Sequence, residues 1–477
     1  MSLTSCSNEL LASAVCSEGV HPEKELLDWV EKRNRAHNYS VQPVPLEKLS
    51  GWHFEASTGN LIHSTGKFFR VEGLAIKTNA GSVHGWMQPI LNQPEVGILG
   101  FLAKRIDGVL HLLVQAKMEP GNINLIQLSP TVQATRSNYT QVHGGRRPMF
   151  MGYFLGEERV RVLTDQLQSE QGARYLRKRN RNVIMQISDD ALMQPPEDFR
   201  WLTIGQLQRL ARQANLVHLD CRSILGGTSL GGADAQEGLS VLLAADTFQG
   251  RVLASIRAGD SQVEKSLAEI LSWLAHLKCH CEQQVRSLPL KEVVGWKLQD
   301  GVIRHETGRF FSIVGMAVQA ASREVASWHQ PLVKSMDGGI IGLITQMRNG
   351  ILHFLIQGRT EPGFLDLVEL APTVQCAPAN YLQGTHTPLP AFVEFLQAMP
   401  RERIRFDTML SEEGGRFYHS QQRHLVVELE PDVSIEIPPS YCWMSLGQIH
   451  ECARFNNLLN IELRSILACV PLAGCAN

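Results

Sequence analysis

The segment LHLLVQAKMEPG (Leu110 to Gly121) reads as a β-strand whose alternation puts Gln115, Lys117 and Glu119 on one face. An amide, a cation and a carboxylate projecting together are costly to bury unless they meet a ligand or one another. A Lys–Glu ion pair in a polar cleft satisfies them as well as a substrate does. Just downstream, TVQATRSNYTQVHGG gathers Gln133, Arg136, Ser137, Asn138, Tyr139 and His143 after a strand that reads as buried. RYLRKRNRN adds Arg177, Lys178, Arg179, Asn180 and Arg181. Arginine forks suit bidentate clamping of phosphate oxygens, although a charged run also serves as a solvated helix face. Trp86 and Gln88 in HGWMQP, like Trp328 and Gln330 in ASWHQP, make either a platform for stacking a base or core packing. Together with His63, these residue types suit proton-transfer chemistry without a cofactor, or simple binding.

The elements that must position these groups are written twice. GWHFEASTGNLIHSTGKFFRVEGLAI returns as GWKLQDGVIRHETGRFFSIVGMAV, and EPGNINLIQLSPTVQATRSNY returns as EPGFLDLVELAPTVQCAPANY. Trp29 with Trp273 and Trp52 with Trp296 are 244 residues apart. From His63 with His305 onward the offset is 242, and Glu119 with Glu361, Tyr139 with Tyr381 and Arg222 with Arg464 keep it. Two residues are therefore missing from a turn between Trp296 and His305. A register this long marks a duplicated domain rather than a short solenoid repeat.

Each copy starts with a helical pattern, PEKELLDWVEKR or SLAEILSWLAHLK. Two strands then turn at Asp107-Gly108 in one copy and Asn349-Gly350 in the other, both strong hairpin signals. Thr203 with Gln206, and Ser445 with Gln448, have capping-box spacing. The expected architecture is α+β, with a mixed sheet and flanking helices in each half. The expected division is a repeat over 20–225, a Gly-rich linker over 226–262 and a second repeat over 263–470.

Composition narrows the functions. The chain has 477 residues, room for two or three domains, and 45 Lys plus Arg against 47 Asp plus Glu, a formal charge of -2. That is not the basic footprint of a nucleic-acid binder or a polybasic membrane anchor, so neither partner is expected. No apolar run reaches the roughly 18 residues of a membrane span. The first residues lack the basic start of a signal peptide, and the ten cysteines are scattered, which points to reduced thiols and a cytoplasmic protein. Cys279, His280 and Cys281 have no second pair at metal-finger spacing, so no metal site is expected. There is no strand-linked G-x-G-x-x-G, Walker A loop, H-E-x-x-H or G-x-S-x-G, which removes the sequence support for nicotinamide, ATP, zinc-protease or serine-hydrolase chemistry.

The two copies also differ. Thr135, Arg136 and Ser137 become Ala377, Pro378 and Ala379, Arg177, Lys178 and Arg179 become His419, Ser420 and Gln421, and Asn122 becomes Phe364. The trio on the strand persists as Gln357, Arg359 and Glu361. The first copy thus holds more cations and hydrogen-bond donors.

Over nearly its whole length, the duplication included, the chain resembles the NDP-hexose 2,3-dehydratases of deoxysugar pathways. EPGNINLIQLSPTVQATRSNYTQVHGG and SEQGARYLRKRNRN carry the likeness. The resemblance implies Nudix-like halves, a homodimer, no cofactor, and dTDP-4-keto-6-deoxy-D-glucose as substrate. Loss of the C2 hydroxyl would give a 3,4-diketo-2,6-dideoxy sugar for a separate C3 ketoreductase. One pocket per chain would be active and the other a remnant. On that reading Glu119, Tyr139 and His63 are acid and base candidates, and Lys117 steadies the enolate. Arg136, Arg177 and Arg179 hold the diphosphate, and Trp86 touches the thymine. Gln88, Gln115, Gln133, Ser137, Asn138, His143, Asn180 and Arg181 complete the expected binding set. Trp328, Gln330, Gln357, Arg359, Glu361 and Tyr381 form the second pocket. A magnesium-dependent nucleotide-sugar hydrolase, for which SEEGG (Ser411 to Gly415) is only a fragment of the needed R-E-x-x-E-E helix, and a non-catalytic binder are the rivals.

Overall fold

The computed structural model describes residues 3–36, 38–142, 144–191, 194–231, 246–320, 323–381 and 387–472. Two seven-stranded sheets form the heart of the two halves and share one strand order. In the first half the path runs Arg161–Ser169, Arg179–Gln186, Gly97–Ile106, Val109–Met118, Phe199–Leu202. In the second it runs Ile404–Ser411, Gln421–Leu429, Gly339–Arg348, Ile351–Thr360, with Tyr441–Ser445 beside the last. Each sheet is mixed, since Arg179–Gln186 runs parallel to Gly97–Ile106 and Gln421–Leu429 runs parallel to Gly339–Arg348.

Local chemistry explains the elements. Both central hairpins turn through two left-handed residues, Asp107 (φ 50°) with Gly108 (φ 82°) and Asn349 (φ 49°) with Gly350 (φ 81°), as a twist-matched two-residue turn requires. The capping boxes are formed at Thr203 and at Ser445. The two-residue deletion falls between Trp296–Gln299 and Val302–His305, where Asp300 and Gly301 make the turn that residues 55–60 make in the first half.

A helix ahead of each repeat is tied to it in the same way. The helix Leu3–Val15 places Ser13 Oγ to accept the Ile204 N–H at 2.9 Å and to donate to the Leu110 carbonyl at 2.6 Å. The helix Phe248–Ile256 repeats this with Ser255, Leu446 and Leu352. Each repeat therefore packs against a helix that precedes 20 or 263, and the stretch expected as a linker, 226–262, includes the helix Phe248–Ile256; residues 232–245 of it lie outside the described residues. The charge run RYLRKRN is not a helix face. The chain turns at Arg177 (φ 51°) and enters the strand Arg179–Gln186.

The halves are interlocked by strand exchange. Two five-stranded sheets each take one strand from the other half: Tyr39–Val44 pairs with Phe311–Ala320, and Gln283–Leu288 pairs with Arg70–Thr78. Burial follows suit, because Trp52, Phe69 and Tyr175 share one apolar cluster with Ile303, Phe311 and Phe417. The EPG turns explain their repetition: a Cβ on Gly121 would sit 1.7 Å from the Phe417 carbonyl, and one on Gly363 would sit 1.7 Å from that of Tyr175. Only glycine lets the backbones pass that closely.

Candidate functional site

A cavity of about 380 Å³ opens where the two halves meet. From the first half come His63, Lys117, Glu119, Gln133, Asn138 and Asn180. The same half also supplies Glu170, Tyr175, Lys178 and Asp220. From the second half come Arg323, Trp328, Gln330, Glu413, Gly415 and Arg416.

The strand Val109–Met118 aims Lys117 inward, and Glu119 follows at its end. Lys117 Nζ lies 3.4 Å from Glu119 Oε1 and donates to Gln133 Oε1 at 2.9 Å. Glu119 Oε1 accepts from Gln133 Nε2 at 2.8 Å, and Oε2 meets His218 Nε2 at 2.8 Å. His218 caps the helix Leu219–Gly226, its Nδ1 accepting the Asp220 N–H at 3.1 Å, so the ring proton sits on Nε2 and is donated to Glu119. Burial alone would lift the Glu119 carboxyl, but His218 and Lys117 outweigh it and hold the group far below the usual carboxylate range. Burial, reinforced by Arg323, lowers the Lys117 ammonium. The pair is therefore a fixed carboxylate beside an ammonium that releases its proton more readily than a surface lysine.

The opposite trend holds across the cavity. Burial first, then Glu413, pushes Glu170 up to about 7. Its Oε1 accepts from Asn180 Nδ2 at 2.6 Å, while its buried Oε2 has no hydrogen-bond partner among the described residues. Burial and the neighbours Glu413 and Glu170 raise Asp220 well above its ordinary value. Burial brings Lys178 down to about 8, and its Nζ donates to the Glu95 carbonyl. Titratable groups with displaced values in one cleft are what acid–base chemistry near neutrality needs. Among the described residues, no three His, Cys, Asp or Glu side chains are arranged to hold a metal ion.

The expected site residues scatter. His63, Lys117, Glu119, Gln133, Asn138 and Asn180 come together. His63 Nδ1 bonds Thr65 Oγ1 at 2.8 Å, and burial with His53 lowers its imidazole. Gln115 lies farther up the strand, outside the lining. Tyr139 packs on the apolar cluster of Phe154 and Phe199. Ser137 is buried with its Oγ on Glu95 Oε2 at 2.8 Å, while Arg136 and Arg177 are exposed. Arg179 is half-buried outside the lining, and Arg181 forks onto Asp165 at 2.6 and 2.8 Å. His143 lies outside the described residues.

The tryptophan assignments are exchanged. Trp328 and Gln330, expected in the second pocket, line the cavity that holds Glu119. Trp86 and Gln88, expected there, stand at the matching place on the other side, with Gln88 Nε2 on the Ala173 carbonyl at 2.9 Å as Gln330 Nε2 is on that of Gly415 at 2.8 Å. The strand exchange moves each platform across to the opposite half. Around Glu361, Arg359 Nε lies at 3.0 Å and Gln375 Nε2 at 2.9 Å. Gln357 lies up that strand, and Tyr381 packs on the Phe392–Tyr441 side.

Sequence reasoning missed Glu170, Tyr175, His218, Asp220, Arg323, Glu413 and Arg416. The signal for several was available in the internal comparison at the 242-residue offset. Tyr175 faces Phe417, His218 faces Asn460 and Glu413 faces Gln171. SEEGG carries one acid more than its counterpart SEQGA, and that acid is Glu413.

A model of the family NDP-hexose 2,3-dehydratase matches residues 23–227 and again 267–470. The chain is similar to three proteins named dTDP-4-dehydro-6-deoxy-alpha-D-glucopyranose 2,3-dehydratase. The one from Saccharopolyspora spinosa is 42% identical over 458 residues, covering 96% of this chain and 93% of the relative. That from Amycolatopsis orientalis is 40% identical over 475 residues, covering 98% and 94%. That from Streptomyces violaceoruber is 41% identical over 451 residues, covering 93% and 95%.

Proposed function

Because the chain belongs to the NDP-hexose 2,3-dehydratase family, we propose that it removes the C2 hydroxyl of dTDP-4-keto-6-deoxy-D-glucose by acid–base elimination. The observation that carries this reading is the cavity between the halves, where a desolvated Lys117 is anchored by an ionised Glu119 and faces carboxyls raised toward neutrality. The C4 ketone acidifies the C3 proton. A base removes it, negative charge collects on the C4 oxygen, and an acid protonates the C2 oxygen as it departs. The resulting enol ketonises to the 3,4-diketo-2,6-dideoxy sugar.

Lys117 is the donor for the C4 oxygen, where a preorganised positive group counts most. Glu119 is the anchor that orients it: with three donors on its oxygens it has little basicity left and no proton to give. His63 remains at the cavity wall, whereas Tyr139 lies outside the lining, against the cluster of Phe154 and Phe199. Arg323 and Arg416 are the lining arginines that suit the diphosphate, in the place expected of Arg136, Arg177 and Arg179. Trp328 is the lining platform that suits the thymine.

The single parallel pairing in each mixed sheet supports Nudix-like halves. The hydrolase rival loses its motif, since SEEGG runs off the end of the strand Ile404–Ser411 instead of forming a metal-binding helix. The family likeness supports a homodimer, and the labile diketone supports consumption by a separate C3 ketoreductase. The free cysteines among the described residues support a cytoplasmic setting.

The test is incubation with dTDP-4-keto-6-deoxyglucose in EDTA, with a C3 ketoreductase and NADPH to trap the product, read by mass spectrometry. Loss of the C2 oxygen is expected. Release of dTMP or dTDP only after magnesium is restored would overturn the reading.

A further inference from the structure

Tyr175 and Glu413 meet across the boundary between the two halves. The Tyr175 hydroxyl donates to Glu413 Oε2 at 3.0 Å, and both side chains line the cavity. Glu413 Oε1 takes no part in that bond and lies beside Gly415. A Cβ on Gly415 would sit 2.8 Å from that oxygen and 3.5 Å from Glu119 Oε1. Position 173, the counterpart of Gly415, is alanine.

The counterparts of the pair change together. Where the first half has Tyr175 the second has Phe417, and where the second has Glu413 the first has Gln171. Phe417 fills the same apolar cluster as Tyr175, so the ring is needed for packing and the hydroxyl is not. Gln171 is buried on Glu412 Oε2 at 2.7 Å, so an amide also satisfies that position. Neither the hydroxyl nor the carboxylate is required by the fold, yet both are present at one cavity and both absent at the matching place. A buried phenol facing a carboxylate is costly to keep unless it does something there.

We propose that Glu413 is the base and Tyr175 the acid of the elimination, a proton-transfer pair assembled from both halves of the chain. The Glu413 carboxylate takes the proton from C3, and the C–H electrons form the C3–C4 double bond while the C4 oxygen takes the charge beside Lys117. As the charge returns and the double bond moves to C2–C3, the C2–O bond breaks. Tyr175 gives its proton to the departing oxygen, which leaves as water. The proton on Glu413 then passes along the hydrogen bond to the phenolate, which restores the pair with no net oxidation or reduction. The pair's role rests on the dehydratase reading, which turnover by the unaltered enzyme tests separately.

The test uses Glu413→Gln and Tyr175→Phe in the full chain, each a side chain that the protein itself carries at the counterpart position. Turnover is measured with the trapped assay, and deuterium uptake at C3 of recovered substrate is measured in D2O. Each variant is expected to lose about 100- to 10,000-fold in kcat with KM within about threefold, the range of a general acid or base. The double variant should be no slower than the slower single one. Tyr175→Phe should still exchange the C3 proton while failing to release the C2 oxygen, and Glu413→Gln should do neither. A merely structural role would move the melting temperature and dTDP binding without splitting exchange from elimination. Either variant turning over within about threefold of the unaltered enzyme, or C3 exchange surviving in Glu413→Gln, would overturn the assignment. If one variant fails to fold, the other decides through its exchange result.

Discussion

Around Glu119 the protein gathers Lys117, His218, Lys178 and Tyr175, whereas around Glu361 the matching positions hold Arg359, Asn460, Ser420 and Phe417. The scaffold of the two places is the same. Gln133 reaches Glu119 at 2.8 Å and Gln375 reaches Glu361 at 2.9 Å. Trp328 and Trp86 each donate to the glutamine two residues on, at 2.9 and 2.8 Å. What differs is proton chemistry: Lys117 is pulled down by burial, while the guanidinium of Arg359, despite burial, is raised by Glu361. An arginine does not give up its proton near neutrality, a serine hydroxyl does not titrate there, and a phenylalanine has no such proton. Phe364 also stands where Asn122 does, and a Cβ on Gly172 would sit 2.5 Å from its ring. Duplication kept the walls and the buried carboxyls twice, Glu119 with Glu361, Glu170 with Glu412 and Asp220 with Glu462, but the lysines, His218 and the Tyr175 hydroxyl once.

The sharpest way to break that contrast is to remove each cation. Lys117→Met should cost about 100- to 1,000-fold in kcat, the range for losing one donor to a developing oxyanion. Arg359→Met should leave kcat within about twofold and appear in stability instead. Its side chain is 26% exposed, so the loss of its pair with Glu361 should cost about 1–2 kcal/mol. Steady-state kinetics and chemical denaturation of both variants check this, and equal losses of turnover would mean that both places work.

His218→Asn imports the second half's own solution. Asn460 caps its helix, its Oδ1 accepting the Leu463 N–H at 2.9 Å, so the substituted helix should keep its cap. What disappears is the donor on Glu119 Oε2. Turnover should fall about 10-fold or more, since one charge-assisted hydrogen bond is worth roughly 1.5–3 kcal/mol. The pH dependence carries a sign. Glu119 is depressed in the folded state, so its contribution is present above the unfolded value and is lost as pH falls through the folded one. Losing His218 raises the folded value, so acid unfolding should begin at higher pH in the variant. An unchanged acid limb would remove His218 from the account of Glu119.

How far the sequence discloses this contrast depends on the kind of interaction. The duplication, both hairpins, both capping boxes and the shared face of Lys117 and Glu119 follow from local pattern, and all are present in the structure. The exchange of Tyr39–Val44 onto Phe311–Ala320 is invisible to that reasoning. Two equivalent strands satisfy the same ladder whichever copy supplies them, so the sequence does not decide the partner. The same ambiguity hides which half's tryptophan faces Glu119. The basic run misled for another reason: charge density locates cations but not the backbone turn at Arg177 that directs Lys178 inward and leaves its neighbours outside.

In one respect the two places should behave alike. Burial raises Glu170, to about 7, and its counterpart Glu412 as well. A carboxyl raised in the folded state binds its proton more tightly there, so stability falls as pH rises from about 4.5 to 7. Glu170→Gln should flatten that slope, by at most about 3 kcal/mol across the window. Glu412→Gln should flatten it in the same sense. Denaturation midpoints at several pH values check both, and a steeper slope in either variant would contradict the burial argument.

The smallest expected effect concerns the arginines that charge density favoured. Arg181 forks onto Asp165 and Arg423 forks onto Asp407, both largely at the surface and with nearly the same distances, 2.6 and 2.8 Å against 2.7 and 2.7 Å. Such pairs are worth about 0.2–1 kcal/mol. Arg181→Ala and Arg423→Ala should therefore lose the same small stability, with KM for the nucleotide sugar unchanged in both. A tenfold rise in KM for Arg181→Ala alone would put the diphosphate on the basic run after all and take it from Arg323 and Arg416. Matching losses instead leave the substrate's charge to arginines that the second half supplies, which makes the second half a wall of the working site and accounts for its retention.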